Sequence, residues 1–139
     1  MTDEPLTGGC LCGAVRYEIA EPLVAAGYCH CTRCQRRTGT ASSAQGRVAP
    51  GAFRLVSGEQ QLGSHVPADG GFVKVFCREC GSALWSEAPD DRELRSVRLG
   101  TFDGDPGIRP CYRQFVASAA PWEPIPDDGL PRFDGSRPR

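Results

Sequence analysis

The stretch Phe72-Val73-Lys74-Val75-Phe76-Cys77-Arg78-Glu79-Cys80-Gly81-Ser82-Ala83-Leu84-Trp85-Ser86 reads as a strand, a two-cysteine turn and a second strand. Phe72 to Phe76 enters Cys77 as a strand, and Ser82 to Ser86, with Leu84 and Trp85, leaves as its hairpin partner. A C-x-x-C turn lets two thiolates converge on one ion, because the short turn also aims backbone N–H groups at the sulfurs. Gly81, directly after Cys80, permits the tight backbone that such a knuckle requires. Cys77 and Cys80 therefore form half of a metal site.

The other cysteines fall as Cys10-x-Cys12, Cys29-x-Cys31-x2-Cys34 and a lone Cys111. Cys10 and Cys12, flanked by Gly8, Gly9 and Gly13, can supply a second half-site from a loop just before a strand. A zinc bound by two such pairs is closed and contributes folding energy rather than chemistry. Cys29, Cys31 and Cys34 sit at the mouth of a short helix and can place three thiolates on one ion. An open fourth position is the mark of a catalytic zinc. Two residues could close it: His30, whose ring between two ligands is expected to point away, and Cys111, which would complete a second four-cysteine site. A zinc-ribbon pairing of Cys31 and Cys34 with Cys77 and Cys80 is a further alternative. Its 42 intervening residues exceed the usual roughly 15–20.

Composition supports metal over disulfides. The chain has 139 residues and reads as a single domain over 1–139. Its hydrophobic fraction of 40% allows a modest core that gains from a metal staple. Met1-Thr2-Asp3-Glu4-Pro5 is polar and acidic, without the basic and apolar regions of a secretory signal. Eight cysteines in a reducing cytoplasm are then expected as thiolates on metal or catalytic thiols rather than disulfides, with seven of them placed as ligands. No stretch approaches the roughly 18 apolar residues of a membrane span. Lys plus Arg number 16 against 17 Asp plus Glu, which argues against nucleic acid as a partner.

Periodicity makes the class mainly β. Gly13 to Ala20 carries Val15, Tyr17 and Ile19 on alternate positions. Phe53 to Val56 running into Ser57-Gly58, Ser96 to Thr101, and Gln114 to Ser118 complete the strand list. The one helix expected is short, about Thr32 to Thr38. Seventeen glycines and 12 prolines leave little room for long helices. Residues 120–139 are Pro-rich and read as an extended strap over the domain, anchored by Trp122 and Phe133.

Gly9-Cys10-Leu11-Cys12-Gly13-Ala14-Val15, Cys29-His30-Cys31-Thr32-Arg33-Cys34-Gln35-Arg36-Arg37-Thr38-Gly39 and Phe76-Cys77-Arg78-Glu79-Cys80-Gly81 resemble the glutathione-dependent formaldehyde-activating enzyme family. Ala120-Pro121-Trp122 and Gly129-Leu130-Pro131-Arg132-Phe133 resemble that family's ending, so the likeness spans about residues 6–135. It implies an Mss4-like fold of short antiparallel sheets stapled by zinc. It also implies that Cys10, Cys12, Cys77 and Cys80 hold a structural zinc and Cys29, Cys31 and Cys34 a catalytic one. In one respect the sequence departs from the family pattern. Arg113 in Arg113-Gln114-Phe115-Val116 stands where members often carry a histidine, which puts the substrate in question if that histidine shapes the site.

The activity so implied is that of a carbon–sulfur lyase, an S-(hydroxymethyl)glutathione synthase-like enzyme working on a thiol and a small aldehyde. Three cysteinates weaken the Lewis acidity of zinc, which favours delivery of a thiolate over activation of the aldehyde. Glutathione carries two carboxylates, and Arg33, Arg36 and Arg37 are candidates to orient them. The alternative for these arginines is a solvated helix face. Ser42, Ser43 and Gln45 follow in a strand and can line the pocket. His65, in a polar loop, reads as a surface histidine. The family also includes members not tied to formaldehyde, among them a eukaryotic centromere protein. A non-catalytic binding module with Cys111 closing the second zinc is therefore the other reading. Oligomeric state is open, with a homodimer among the options.

Overall fold

The structure, a computed structural model, describes residues 4–138. Met1-Thr2-Asp3, read above as part of a start without a secretory signal, lies outside the described residues, as does Arg139 of the strap. Along the described residues run β1 (Leu6–Gly9), β2 (Arg16–Ile19), β3 (Ala25–Cys29), α1 (Thr32–Thr38), β4 (Ser43–Arg47), β5 (Phe53–Ser57), β6 (Leu62–His65), β7 (Val73–Cys77), β8 (Ala83–Ala88), β9 (Asp91–Arg98) and β10 (Arg113–Gln114). The protein is mainly β, as its periodicity predicts. A small sheet has the order β1-β2-β5, and a large one the order β10-β3-β4-β9-β8-β7-β6.

The core lies where these sheets meet. Val15, Tyr17 and Ile19 are buried while Arg16 and Glu18 between them are half-exposed, so the period of two in β2 marks the inward face. Tyr17 stacks on Phe53 of the same sheet at 5.6 Å, and Phe53 meets Trp85 of the large sheet edge-on at 4.9 Å. Such ring pairs are worth about 0.5–1.5 kcal/mol each beyond their buried area. The β7–β8 hairpin forms as the opening stretch predicts, with Val73 opposite Glu87 and Val75 opposite Trp85. Gly81 takes the left-handed φ of 79° that the turn needs.

Several expectations change in detail. The strand placed over Ser96 to Thr101 begins earlier, at Asp91, and Leu99–Thr101 winds into a 3-10 turn. Gln114 to Ser118 is not one strand. Phe115 enters the left-handed region (φ 56°, ψ 37°) and breaks it, and Val116–Ser118 forms another 3-10 turn. β10 pairs with β3 in parallel, so the large sheet is mixed rather than antiparallel. A long connection after β9 carries the chain round to the free side of β3, where no tight hairpin dictates antiparallel pairing. β3 and β6 carry too few β-branched residues to be read from pattern. A Cβ on Gly27 of β3 would lie 2.3 Å from the Tyr112 ring, so close packing dictates that glycine. His65 belongs to β6 rather than to a loop, and it is exposed as expected.

The strap is present, but its anchors differ. Trp122 is 65% exposed and anchors nothing, whereas Ala120 is buried and Phe133 half-buried. Backbone bonds do most of the holding. Arg113 donates to Pro131, Phe133 to Arg113, Val116 to Phe133 and Phe115 to Gly135, all at 2.9–3.0 Å. The strap therefore runs beside β10 and covers an edge that would otherwise stand open. Among the described residues no helix is long and apolar enough to cross a membrane.

Candidate metal centres

Cys10 and Cys12 lie in the turn between β1 and β2, and Cys77 and Cys80 in the turn between β7 and β8. All four sulfurs lie within 4.8 Å of one another. Cys10 and Cys12 are 3.6 Å apart and Cys12 and Cys77 3.9 Å. A tetrahedral zinc with bonds of about 2.3 Å separates its sulfurs by about 3.8 Å, so this donor set fits that ion. Val15 N–H donates to Cys10 Sγ at 3.2 Å, and Ser82 Oγ lies 3.2 Å from Cys80 Sγ. The Ser82 hydroxyl, helped by backbone N–H groups, lowers the Cys80 thiol to about 5, which favours the metal-binding thiolate. Cys10 and Cys12 follow the small sheet, and Cys77 and Cys80 belong to the large one. One ion here would tie the two sheets together.

A second group gathers Cys29, at the end of β3, with Cys31 and Cys34, again with all sulfurs within 4.8 Å. Cys31 is the N-cap of α1 and accepts from the Cys34 N–H at 3.3 Å. The helix start thus brings Cys31 and Cys34 onto one point, beside the strand end that carries Cys29. Hydrogen bonds from Cys29 and Cys31 hold Cys34 far below its ordinary range, and the same sharing pushes Cys29 up. Three soft sulfur donors fit zinc here too. Neither proposed fourth ligand joins them. His30 is buried on the opposite side of the segment, 3.2 Å from Arg113. Cys111 is exposed, and its Sγ–H points to the Ala26 carbonyl at 3.4 Å. Its backbone N–H donates to the Ala26 carbonyl, three residues from Cys29, and it does not line the cleft onto which the three sulfurs open.

The second group opens onto a cleft of about 510 Å³, lined among others by Gln45, Lys74, Ser86, Gln114 and Phe115. Beneath the sulfurs lies Arg98, which donates to Gln45 Oε1 and to Ser86 Oγ, both at 2.8 Å. Burial lowers the Arg98 pKa, while the Cys34, Cys29 and Cys31 sulfurs pull it up. Of the arginines singled out from sequence, only Arg33 reaches this cleft, and it pairs with Asp69. Arg36 and Arg37 line a neighbouring cleft instead, and Arg37 donates to the Val75 carbonyl at 2.7 Å. Ser43 is buried beside Cys34, and Ser42 faces the far side with His30. The cations that sequence missed are Lys74, Arg47 and Arg137, each reaching the cleft from a different element. Alternation along β4 offered a signal for Arg47, which shares its face with Gln45.

Arg113 does not touch this cleft. Gln114 points into it, so its neighbour Arg113 points out the back of β10, over Tyr28 at 4.3 Å and onto Asp128 at 2.8 Å. The substitution of arginine at this position therefore bears on the support behind the cysteines. Arg113→Ala would take a buried guanidinium away from Tyr28, His30 and the exposed Asp128, and is expected to lower stability. Urea unfolding of the two proteins measures it, and equal midpoints would deny these contacts any weight.

A sequence profile of the glutathione-dependent formaldehyde-activating enzyme family matches residues 5–118. A Halomonas elongata protein, provisionally named as a glutathione-dependent formaldehyde-activating enzyme, is 28% identical over 105 residues, covering 72% of this chain and 67% of its own. A crystal structure of a Rhodobacter sphaeroides protein superimposes with a TM-score of 0.60 at 23% identity, over 91% of this chain and 98% of that one. That likeness shows the fold.

Proposed function

The chain belongs to the glutathione-dependent formaldehyde-activating enzyme family, and from that premise we propose that it is a zinc-dependent carbon–sulfur lyase. It would join or split a glutathione-like thiol and a small aldehyde such as formaldehyde, in the cytoplasm, as a single domain. One observation carries the reading. Three cysteine sulfurs converge on an open cleft, and among the described residues no fourth ligand stands with them. Cys29, Cys31 and Cys34 would hold the working zinc and Cys10, Cys12, Cys77 and Cys80 a structural one, two ions per chain.

A zinc held by Cys29, Cys31 and Cys34 would supply a lowered pKa to an incoming thiol, so that its thiolate would be available near neutral pH. In the joining direction the thiol sulfur bonds to the carbonyl carbon, the π pair moves to oxygen, and the thiol proton ends on that oxygen. Splitting reverses each transfer. Gln45 is held by its carbonyl end, where Arg98 donates, so its amide N–H groups are the ones left for an oxygen in the cleft. Three thiolates and a divalent ion sum to one negative charge, which Arg98 and Lys74 offset from below and beside. Lys74 Nζ lies 3.4 Å from Ser86 Oγ, on the floor that also holds Arg98.

Incubation of the zinc-loaded protein with formaldehyde and several thiols tests the reaction, with an expected acceleration over the uncatalysed rate for at least one thiol. No acceleration with any of them would overturn the enzyme reading. X-ray absorption at the zinc edge separates it from a closed binding module. Averaged over both ions, it should report about 3.5 sulfurs per zinc with a lighter ligand making up the rest, whereas a full four would favour the module.

A further inference from the structure

The profile of the family ends at residue 118, yet the cleft does not. Ser136, Arg137 and Pro138, at the end of the strap, form part of its wall. Resting on the reading of a glutathione-like substrate, we propose that Arg137 is the carboxylate-binding cation of this cleft. The strap is thereby part of the substrate site.

The strap delivers Arg137 with definite geometry. Its backbone N–H donates to Gln114 Oε1 at 3.0 Å, and its guanidinium stands over the Tyr112 ring, 4.5 Å from the centroid. Tyr112 in turn packs on Gly27, whose missing Cβ makes the room. A guanidinium laid on a ring keeps its in-plane N–H fork free for an oxyanion, the arrangement best suited to a carboxylate. Among the described residues Arg137 pairs with no acid, whereas Arg33, one of the three arginines singled out from sequence, already holds Asp69. The adjoining strap also fixes Phe115 in its left-handed conformation, through Phe115 N–H to Gly135 at 2.9 Å. Such a conformation is unfavourable for a non-glycine residue and persists only when its surroundings impose it.

The spacing suits a tripeptide thiol. Gly27, beneath Tyr112, is two residues from Cys29 along β3, and Ala25, paired with Arg47, is four. At about 3.3 Å per residue these positions lie roughly 7 and 13 Å from the cysteine level. The thiol of such a tripeptide hangs from its middle residue, so a terminal carboxylate lies about 7 Å from the sulfur, the level of Gly27 at which Tyr112 and Arg137 stand.

S-methylglutathione keeps both carboxylates and lacks the thiol, so its binding reports this subsite without chemistry. By calorimetry on the zinc-loaded protein, Arg137→Glu is expected to weaken it at least tenfold and Arg137→Lys by less. The dimethyl ester of the same probe should bind wild type and Arg137→Glu alike. In turnover the Glu variant should raise KM for glutathione about tenfold while kcat moves less than twofold, with two zinc ions retained. Equal binding of S-methylglutathione by wild type and Arg137→Glu overturns the subsite, even if the reaction is catalysed. Arg137-dependent binding with no thiol–aldehyde turnover would leave the subsite standing and remove the lyase reading instead.

Discussion

Cys31→Ala is expected to lower the zinc content from two ions per chain to one and to bring the thiol–aldehyde rate down to the uncatalysed level. The group has only three thiols, so losing one leaves two, too few to retain the ion against competing ligands. The fold should survive. Cys31 is half-exposed, and what it gives the helix is an N-cap, worth about 1 kcal/mol. Metal analysis, circular dichroism and the thiol–aldehyde assay on one preparation check all three parts. Activity that persists after one zinc is lost would show that chemistry does not occur at this cluster.

Cys77→Ala should behave in the opposite way, with the fold lost as well as the metal. Cys77 is fully buried at the end of β7, and its partners Cys10 and Cys12 belong to the other sheet's β1–β2 turn. A structural zinc contributes apparent binding energy of about 10–16 kcal/mol. The whole net stability of a domain is about 5–15 kcal/mol. Removing a term of that size leaves nothing to hold the sheets together, so the variant should lack a cooperative thermal transition. Prolonged chelation of the wild-type protein should end in the same state. A variant that has lost this zinc and still melts like the wild type would show that the core alone joins the sheets.

Sequence reading reached the β class, the hairpin around Cys77 and Cys80, and α1, because each has a local cause. Alternation in β2, the glycine after Cys80 and the run of cysteine and polar residues before Gly39 act over a few residues. The reading was blind to β3 and β6, whose Ala, Gly and Ser residues become strands only because neighbours supply their hydrogen bonds. Trp122 was misjudged for a related reason. A large aromatic in a proline-rich segment looks like an anchor, but the strap is held by its backbone bonds to Arg113, Phe115 and Val116.

At the site, spacing singled out the cysteines able to serve as ligands and left their grouping open. Only the tertiary structure brings Cys10 and Cys12 onto Cys77 and Cys80, with Cys12 and Cys77 65 positions apart in sequence. The same holds for the residue most able to close the second group. Cys111 carries the right donor atom, but just before β10 its N–H and thiol both meet the Ala26 carbonyl, three residues from Cys29. Arg137 is the converse case, an unremarkable arginine in sequence that the strap returns to the cleft. Ligand chemistry is thus written in residue type and short spacing, because a knuckle is a local object. Which thiols share an ion, and which cations face them, depends on sheet pairing and strand parity, which arise only when distant segments meet.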